Sequence, residues 1–401
     1  MSIQVTHIYA WGGGWSGAEA IMTTIARSAD LCPQMRSHFV LAPAHDGRRL
    51  IEGLRAAGAA VDVLSDVRPG RAAAILRARK EIRAMVCAAG SEVAVFHSTK
   101  AHLLFAPGLR AAKIPLVYWA HGGSVRLYDE RSARRNAVAL MERWAGLTQP
   151  NLAICVSRFC AAELLPTLFP NPTLKREVIY APVQPVDTEL APHDRATIRR
   201  DLGADDNTVA LIQASRISPW KGHELLFDAF ARIRDLPGWV YWLVGGPQTS
   251  AEASWLAHLH QMAASLGIAE RIRFVGQRND VPYLLKAADI HCQPNARPEP
   301  FSIGLVEAMS VGLPVAGTAL GGSTEIVDES CGILVTPGDA AALADALRRL
   351  IAKPELRARL GDAARRRATE ICDPARQLAA LAGNLATVAK SSAQPHRLAY
   401  S

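Results

Sequence analysis

Twelve apolar runs of four to seven residues recur along the chain, most of them separated by stretches with helical periodicity. No other feature restricts the fold as much. Short, continuously apolar runs are strands buried on both faces, and strands that alternate with helices build parallel sheets. In the first half VTHIYA (5–10), SHFVLAP (37–43), AAVDVL (59–64), VAVFHS (93–98), PLVYWA (115–120) and LAICVS (152–157) read as strands, with helices over 17–30, 71–89 and 131–146. In the second half VALIQAS (209–215), WVYWLVG (239–245), IRFVG (272–276), DIHCQP (289–294), PVAGT (314–318) and GILV (332–335) repeat the scheme, with helices near 222–235, 252–266, 302–311 and 340–352.

A chain of 401 residues exceeds one ordinary core, so two domains are expected. The join lies near 180–200, where YAPVQPVDTELAPH packs three prolines into a short polar stretch. The expected division is 1–187 for an N-terminal Rossmann-like domain and 188–373 for a C-terminal one. An amphipathic helix over 374–391 and a loose tail over 392–401 follow.

The net charge of +8 is unevenly spread, with +7 of it on residues 1–190. Two clusters stand out: Arg68, Arg71, Arg77, Arg79, Lys80 and Arg83, then Arg126, Arg131, Arg134 and Arg135. Such clusters attract an anionic membrane surface, or are simply solvated helix faces. No aromatic residues interleave with them for base stacking, which argues against nucleic acid. The seven cysteines lie in apolar segments without CxxC or zinc-ligand spacing and read as buried thiols of a reducing compartment. The chain starts directly on a strand without the layout of a signal peptide, and no apolar run approaches the ~20 residues of a membrane span. The expected location is the cytoplasm, with peripheral contact at the inner face of the membrane.

Five segments carry the chemistry. In EPFSIGLVEAM (Glu299–Met309), Pro300 favours an extended Glu299 and a helix beginning just after it, with Ser302 as its N-cap. Free amides at residues 302–304 and the positive helix end then favour phosphate or sugar oxygens. Glu299 before the helix and Glu307 within it reach different parts of one ligand, each an acceptor suited to paired hydroxyls. In ASRISPWKGHELL (Ala214–Leu226), Arg216 leaves a strand end and Lys221 follows beside Gly222. Two cations at a strand's carboxyl end suit a pyrophosphate. The glycine-rich turn WGGGWSGAEA (Trp11–Ala20), His121 in AHGG (Ala120–Gly123) and the loop ALGGSTEIV (Ala319–Val327) are weaker signals that lean on the first two. No DxD clamp, HExxH, GxSxG or Walker loop is present, and no metal is expected.

Together these motifs resemble the retaining GT-B glycosyltransferases of family 4. The resemblance runs through the GG turn at 12–14, HG at 121–122, R…KG at 216–222, VGGP at 244–247, EX7E at 299–307 and GG..EIV at 321–327. It implies an α/β fold of two Rossmann-like doubly wound domains facing each other across a cleft, with a C-terminal helix returning to the first. It also implies a nucleotide-sugar donor (a UDP- or GDP-sugar), a glycan or lipid-linked acceptor, and no cofactor. By the same resemblance Arg216 and Lys221 bind the donor diphosphate, Glu299 holds donor-sugar hydroxyls and Glu307 holds the ribose. Phe301, Ser302, Ile303 and Gly304 offer backbone amides, and His121 lies against the sugar. Gly13 and Gly14 let the N-terminal loop close, and the base rests near Gly276–Arg278. Ser302 departs from the glycine common after EPF. The competing readings are a nucleotide-sugar epimerase of the same fold and a non-catalytic nucleotide-sugar-binding protein; EX7E with R…KG argues against the first.

Overall fold

The computed structural model describes residues 2–10, 17–42, 48–65, 72–122, 140, 143–184, 186 and 195–393. The chain forms two compact units, one drawn from Met1–Pro182 and Asp373–Ser401, the other from Val183–Cys372. Where the chain passes between units, Val183 N donates to Cys372 O (3.1 Å).

The first unit holds a seven-stranded, wholly parallel sheet of β1 (Ile3–Ala10), β2 (Met35–Ala42), β3 (Ala60–Val63), β4 (Val93–Phe96), β5 (Leu116–Ala120), β6 (Leu152–Cys155) and β7 (Arg176–Val178). Its spatial order is β3-β2-β1-β4-β5-β6-β7, so the winding reverses between β1 and β4. The second unit holds six parallel strands, β8 (Val209–Ala214), β9 (Trp239–Val244), β10 (Ile272–Gly276), β11 (Ile290–Gln293), β12 (Val315–Thr318) and β13 (Gly332–Val335). Their order is β10-β9-β8-β11-β12-β13, and the reversal falls between β8 and β11. In sheets of this kind ligands bind beyond the strands' carboxyl ends at the reversal.

Strand β9 shows why the apolar runs are continuous. Trp239, Tyr241 and Leu243 enter one core with Phe227 and Phe230, while Val240, Trp242 and Val244 enter the opposite core with Ile198, Leu284 and Leu285. Both faces are covered by helices, so neither parity tolerates a polar residue. The closing helix Pro374–Ala393 belongs to the first unit, where it packs on β1, β4 and the helix Gly17–Arg27. Its apolar stripe Leu378, Leu381, Ala382 and Leu385 is buried, as its amphipathic pattern requires.

Strand β7 and the helix Thr99–Ala111 extend the picture given by the sequence. Arg-Glu-Val is too short and too charged to read as a strand. The helix carries Pro107 in its interior, yet Ser98 caps its start by accepting from Ala101 N (3.2 Å). One cysteine reading is corrected: Cys87 is exposed, and only the other six are buried. It sits near the end of the helix Ala72–Ala88, on a face that helical periodicity turns to solvent. Among the described residues no helix is long and apolar enough to cross a membrane.

Candidate functional site

In the second unit the residues that follow β8 and β11 meet at the sheet's reversal. The segment after β8 runs through a turn of 3-10 helix, Pro219–Lys221, and leaves it at Gly222 with φ +73°. A Cβ on Gly222 would lie 1.6 Å from the carbonyl oxygen of Pro294. Only glycine permits both that left-handed backbone and that approach. Ala296 N donates to Trp220 O (2.9 Å), which knits the two loops together.

The loops close on an ion pair. Lys221 Nζ lies 2.8 Å from Glu299 Oε1, and their side chains are 9% and 18% exposed. The same ammonium sits 4.1 Å from the centre of the Trp220 ring. Glu299 Oε2 accepts from Asn295 Nδ2 (2.9 Å) and Gln293 Nε2 (3.2 Å). Beneath the pair, Tyr241 donates to Gln213 Oε1 (3.0 Å) and Gln213 Nε2 donates to Lys221 O (3.0 Å). Thr318 Oγ1 donates to Asn295 O (2.7 Å). The carboxylate and ammonium are thus fixed in place by a satisfied polar network, which is how charge is preorganised without reorganisation on binding.

Arg216 points elsewhere. Its guanidinium pairs with Glu252 Oε1, whose second oxygen accepts from Gln248 N (2.6 Å), and its side chain is 48% exposed. At the end of edge strand β10, Gly276 has φ +77° and Arg278 holds Asp280 through two nitrogens, Nε to Oδ1 at 2.7 Å and Nη2 to Oδ2 at 2.5 Å. Those hydrogen bonds raise the Arg278 pKa further.

Phe301 and Ser302 are buried at the entrance to the helix Ile303–Ser310, with Ile303 and Gly304 partly open. Ser302 occupies the N-cap position, but the capping expectation fails because its side chain makes no cap hydrogen bond. In the loop around Gly321 and Gly322, one amide that could have faced a phosphate is already engaged. Gly322 N donates to Glu299 O (2.8 Å), and Cβ atoms on Gly321 and Gly322 would fall 2.5 Å from Glu299 O and 2.1 Å from Pro300 O. These glycines let the loop press against the backbone that carries Glu299, so the Gly322 amide serves that contact rather than a phosphate.

Glu307 is half-buried on the helix, and its carboxylate makes no hydrogen bond or ion pair among the described residues. Burial pushes its pKa from 4.5 up to about 7. The folded protein therefore holds a proton there that the unfolded chain releases, between pH 4.5 and about 7. Stability from this group falls as pH rises through that window and is flat above it. We expect Glu307→Gln to stabilise the protein by up to ~3 kcal/mol at pH 8 and to do nothing through this group at pH 4. Paired denaturant melts at the two pH values check it.

In the first unit His121 directly follows β5. Its Nε2 lies 2.7 Å from His97 Nδ1, and His97 Nε2 lies 2.9 Å from His7 Nδ1. Gly13 and Gly14 lie outside the described residues. Sequence reasoning missed Gln293, Asn295 and Glu252 in the second unit and His7 and His97 in the first. For Gln293 and Asn295 a signal existed, since polar amides at the end of an apolar strand need buried partners.

Residues 36–185 match the family described as Glycosyltransferase Family 4, and residues 194–367 match Glycosyl transferases group 1. The chain belongs to the group 1, family 4 glycosyltransferases. Its fold is GT-B, two Rossmann-like domains with the C-terminal helix returned to the first. Solved structures of Anabaena HepE in complex with UDP and with UDP-glucose superpose with TM-scores of 0.80 and 0.79 at 25% identity. They cover 96% and 95% of this chain and 100% and 99% of theirs. D-inositol 3-phosphate glycosyltransferase of Stackebrandtia nassauensis is 34% identical over 186 residues, 44% of this chain and 41% of that protein. The lipopolysaccharide core biosynthesis mannosyltransferase LpsB of Rhizobium meliloti is 30% identical over 159 residues, 39% of this chain and 45% of that protein. The matched segments span under half the length of these curated relatives.

Proposed function

We propose that this protein transfers a hexose, with retention, from a nucleotide-diphosphate sugar to a glycan or lipid-linked acceptor in cell-surface polysaccharide or glycolipid synthesis. The observation that carries the proposal is the Lys221–Glu299 pair, locked at the reversal point of the second sheet where such folds receive ligands. Lys221 and the half-exposed Arg216 take the donor diphosphate, with Arg216 exchanging or sharing Glu252. Glu299 accepts from donor-sugar hydroxyls through the lone pairs that Lys221, Asn295 and Gln293 leave open, and Glu307 accepts from the ribose. The backbone at Phe301–Gly304 faces the donor, and the base rests near Gly276 and Arg278. The family resemblance assigns His121 to the donor sugar.

Chemically the site supplies cations where charge develops. The bond from the anomeric carbon to the β-phosphate oxygen breaks, and the acceptor oxygen bonds to that carbon on the same face. The departing phosphate takes the acceptor's proton. Lys221 and Arg216 stabilise the diphosphate as it leaves, so the proposal requires no metal. It is tested by incubating the protein with UDP-glucose, GDP-mannose and ADP-glucose, with and without EDTA, with water as the acceptor, and reading by NMR the first-formed anomer of the released sugar. We expect one donor to be consumed in EDTA with retained α configuration. An inverted product, or a strict metal requirement, contradicts it.

A membrane-facing acceptor fits the first unit's charge. On the helix Ala72–Ala88, Arg77, Lys80 and Arg83 are exposed beside Leu76, itself 59% exposed. Arg79 is only partly open and donates to Leu104 O (2.6 Å). Arg68 and Arg71, and Arg126, Arg131, Arg134 and Arg135, lie outside the described residues. We expect tighter sedimentation with anionic than with neutral vesicles, lost progressively as salt rises. Equal binding to both removes this part of the proposal.

A further inference from the structure

His7, His97 and His121 stand on three neighbouring strands of the first sheet: His7 within β1, His97 just past β4 and His121 just past β5. Only two nitrogen–nitrogen contacts join them, at 2.9 Å between His7 Nδ1 and His97 Nε2 and 2.7 Å between His97 Nδ1 and His121 Nε2. The His97 and His121 rings lie within 13° of parallel with centroids 5.0 Å apart. With the nitrogens 2.7 Å apart, that is an in-plane N–H···N bond rather than a stack. The remaining ring nitrogens, His7 Nε2 and His121 Nδ1, are buried and have no hydrogen-bond partner among the described residues.

All three rings are neutral at physiological pH. Burial pushes the His7 and His121 pKa values down to about 3, and burial with the neighbouring imidazoles holds His97 well below its ordinary value. A neutral imidazole carries one N–H and one lone pair. Each contact needs one of each, because two lone pairs or two N–H groups facing one another at these distances repel. Applied along the row, this leaves two arrangements. Either all three rings are protonated on Nδ1, and His121 Nδ1 carries an N–H, or all three are protonated on Nε2, and His121 Nδ1 carries a lone pair. Mixed states cost a broken contact between buried polar groups, which is expensive.

We propose that His7, His97 and His121 form one hydrogen-bonded unit with only these two proton arrangements, so that His7 and His97 are positioning residues that set whether His121 offers a ligand a donor or an acceptor. The proposal rests on the reading above that His121 meets the donor sugar. At the inner end His7 Nε2 has no hydrogen-bond partner among the described residues, and the role proposed for the row is to fix polarity. A ligand that presents only an acceptor oxygen at His121 selects the all-Nδ1–H arrangement. A hydroxyl is received by either.

The test needs no substrate. In the full-length protein labelled with nitrogen-15 in histidine, two-bond proton–nitrogen correlation at pH 7 reports the tautomer of each ring. We expect His7, His97 and His121 to share one tautomer. A mixed set, or an imidazolium among them, overturns the proposal. Substitution His7→Phe, two hydrogen bonds from His121, is expected to shift the His121 ring nitrogens. The same substitution in a His97→Leu background is expected to leave them unmoved. A His7→Phe shift that survives His97→Leu, or no shift at all, overturns it. If His97→Leu does not fold, the tautomer set of the intact protein still decides. Because no donor is added, loss of this proposal and loss of transferase activity are separate results.

Discussion

Lys221→Ala is expected to cut sugar transfer to between a hundredth and a thousandth of the wild-type rate, and to lower stability at the same time. Removing one preorganised cation from developing negative charge typically costs about 10²–10³ in rate. Here the cost to the fold arises because Glu299 keeps its place, held by Asn295 and Gln293, and is left without its cation in a largely covered position. Breaking a buried pair from one side costs about 3–5 kcal/mol. The second oxygen of Glu299 retains its amide donors, so the lower end applies. The double variant Lys221→Ala/Glu299→Gln separates the two effects. It is expected to recover much of the stability, because no buried carboxylate is stranded, and none of the activity. Chemical denaturation of Lys221→Ala, Glu299→Gln and the double variant beside a transfer assay completes the cycle.

Gly222→Ala is the second large effect, and it acts through the backbone. An alanine there must adopt φ +73° and place its Cβ 1.6 Å from the Pro294 carbonyl oxygen. The first demand costs about 1–2 kcal/mol. The second cannot be met without parting the loops that carry Lys221 and Glu299. The expected result is a loss of more than ~3 kcal/mol of stability together with loss of donor binding. Gly267→Ala supplies the control. Gly267 has a similar φ of +69° with nothing within 4 Å of its would-be Cβ. Only the ~1 kcal/mol of left-handed backbone should be lost there, and donor binding should be kept. Comparable thermal melts for the two variants contradict the account of the loop.

Much of this architecture is legible in the sequence because burial on both faces leaves a plain mark. WVYWLVG cannot be a surface strand, and Trp239, Tyr241 and Leu243 do alternate with Val240, Trp242 and Val244 between two cores. Strand β7 left no such mark, since Arg176 and Glu177 are two of its three residues. The helix Thr99–Ala111 was hidden by Pro107, although the Ser98 cap was available to be read. The site divides in the same way. Arg216, Lys221 and Glu299 are conspicuous as charges between strand ends and the helices that follow, and Glu307 as a charge within an apolar helix. Their partners are less so. Glu252 meets Arg216 across 36 residues of chain, and Asn295 looks like a loop residue until it is seen to donate to Glu299. Gly321 and Gly322 were legible as a tight loop but not as one pressed against Glu299 and Pro300, because close approach of two backbones is a tertiary fact. The histidine row shows the limit most sharply. A single histidine in an apolar strand reads as core, and only the order of β1, β4 and β5 in the sheet puts three of them in line.

In the proposed reaction the second unit binds a nucleotide-sugar diphosphate through Lys221 without a metal. The measurement that reaches it most directly is a thermal-shift panel of UDP-, GDP- and ADP-sugars in EDTA, run on the wild type and on Lys221→Ala. One class of donor is expected to raise the melting temperature of the wild type in the presence of the chelator, and the shift is expected to disappear in Lys221→Ala. A shift that needs divalent metal, or one of equal size in Lys221→Ala, would contradict it.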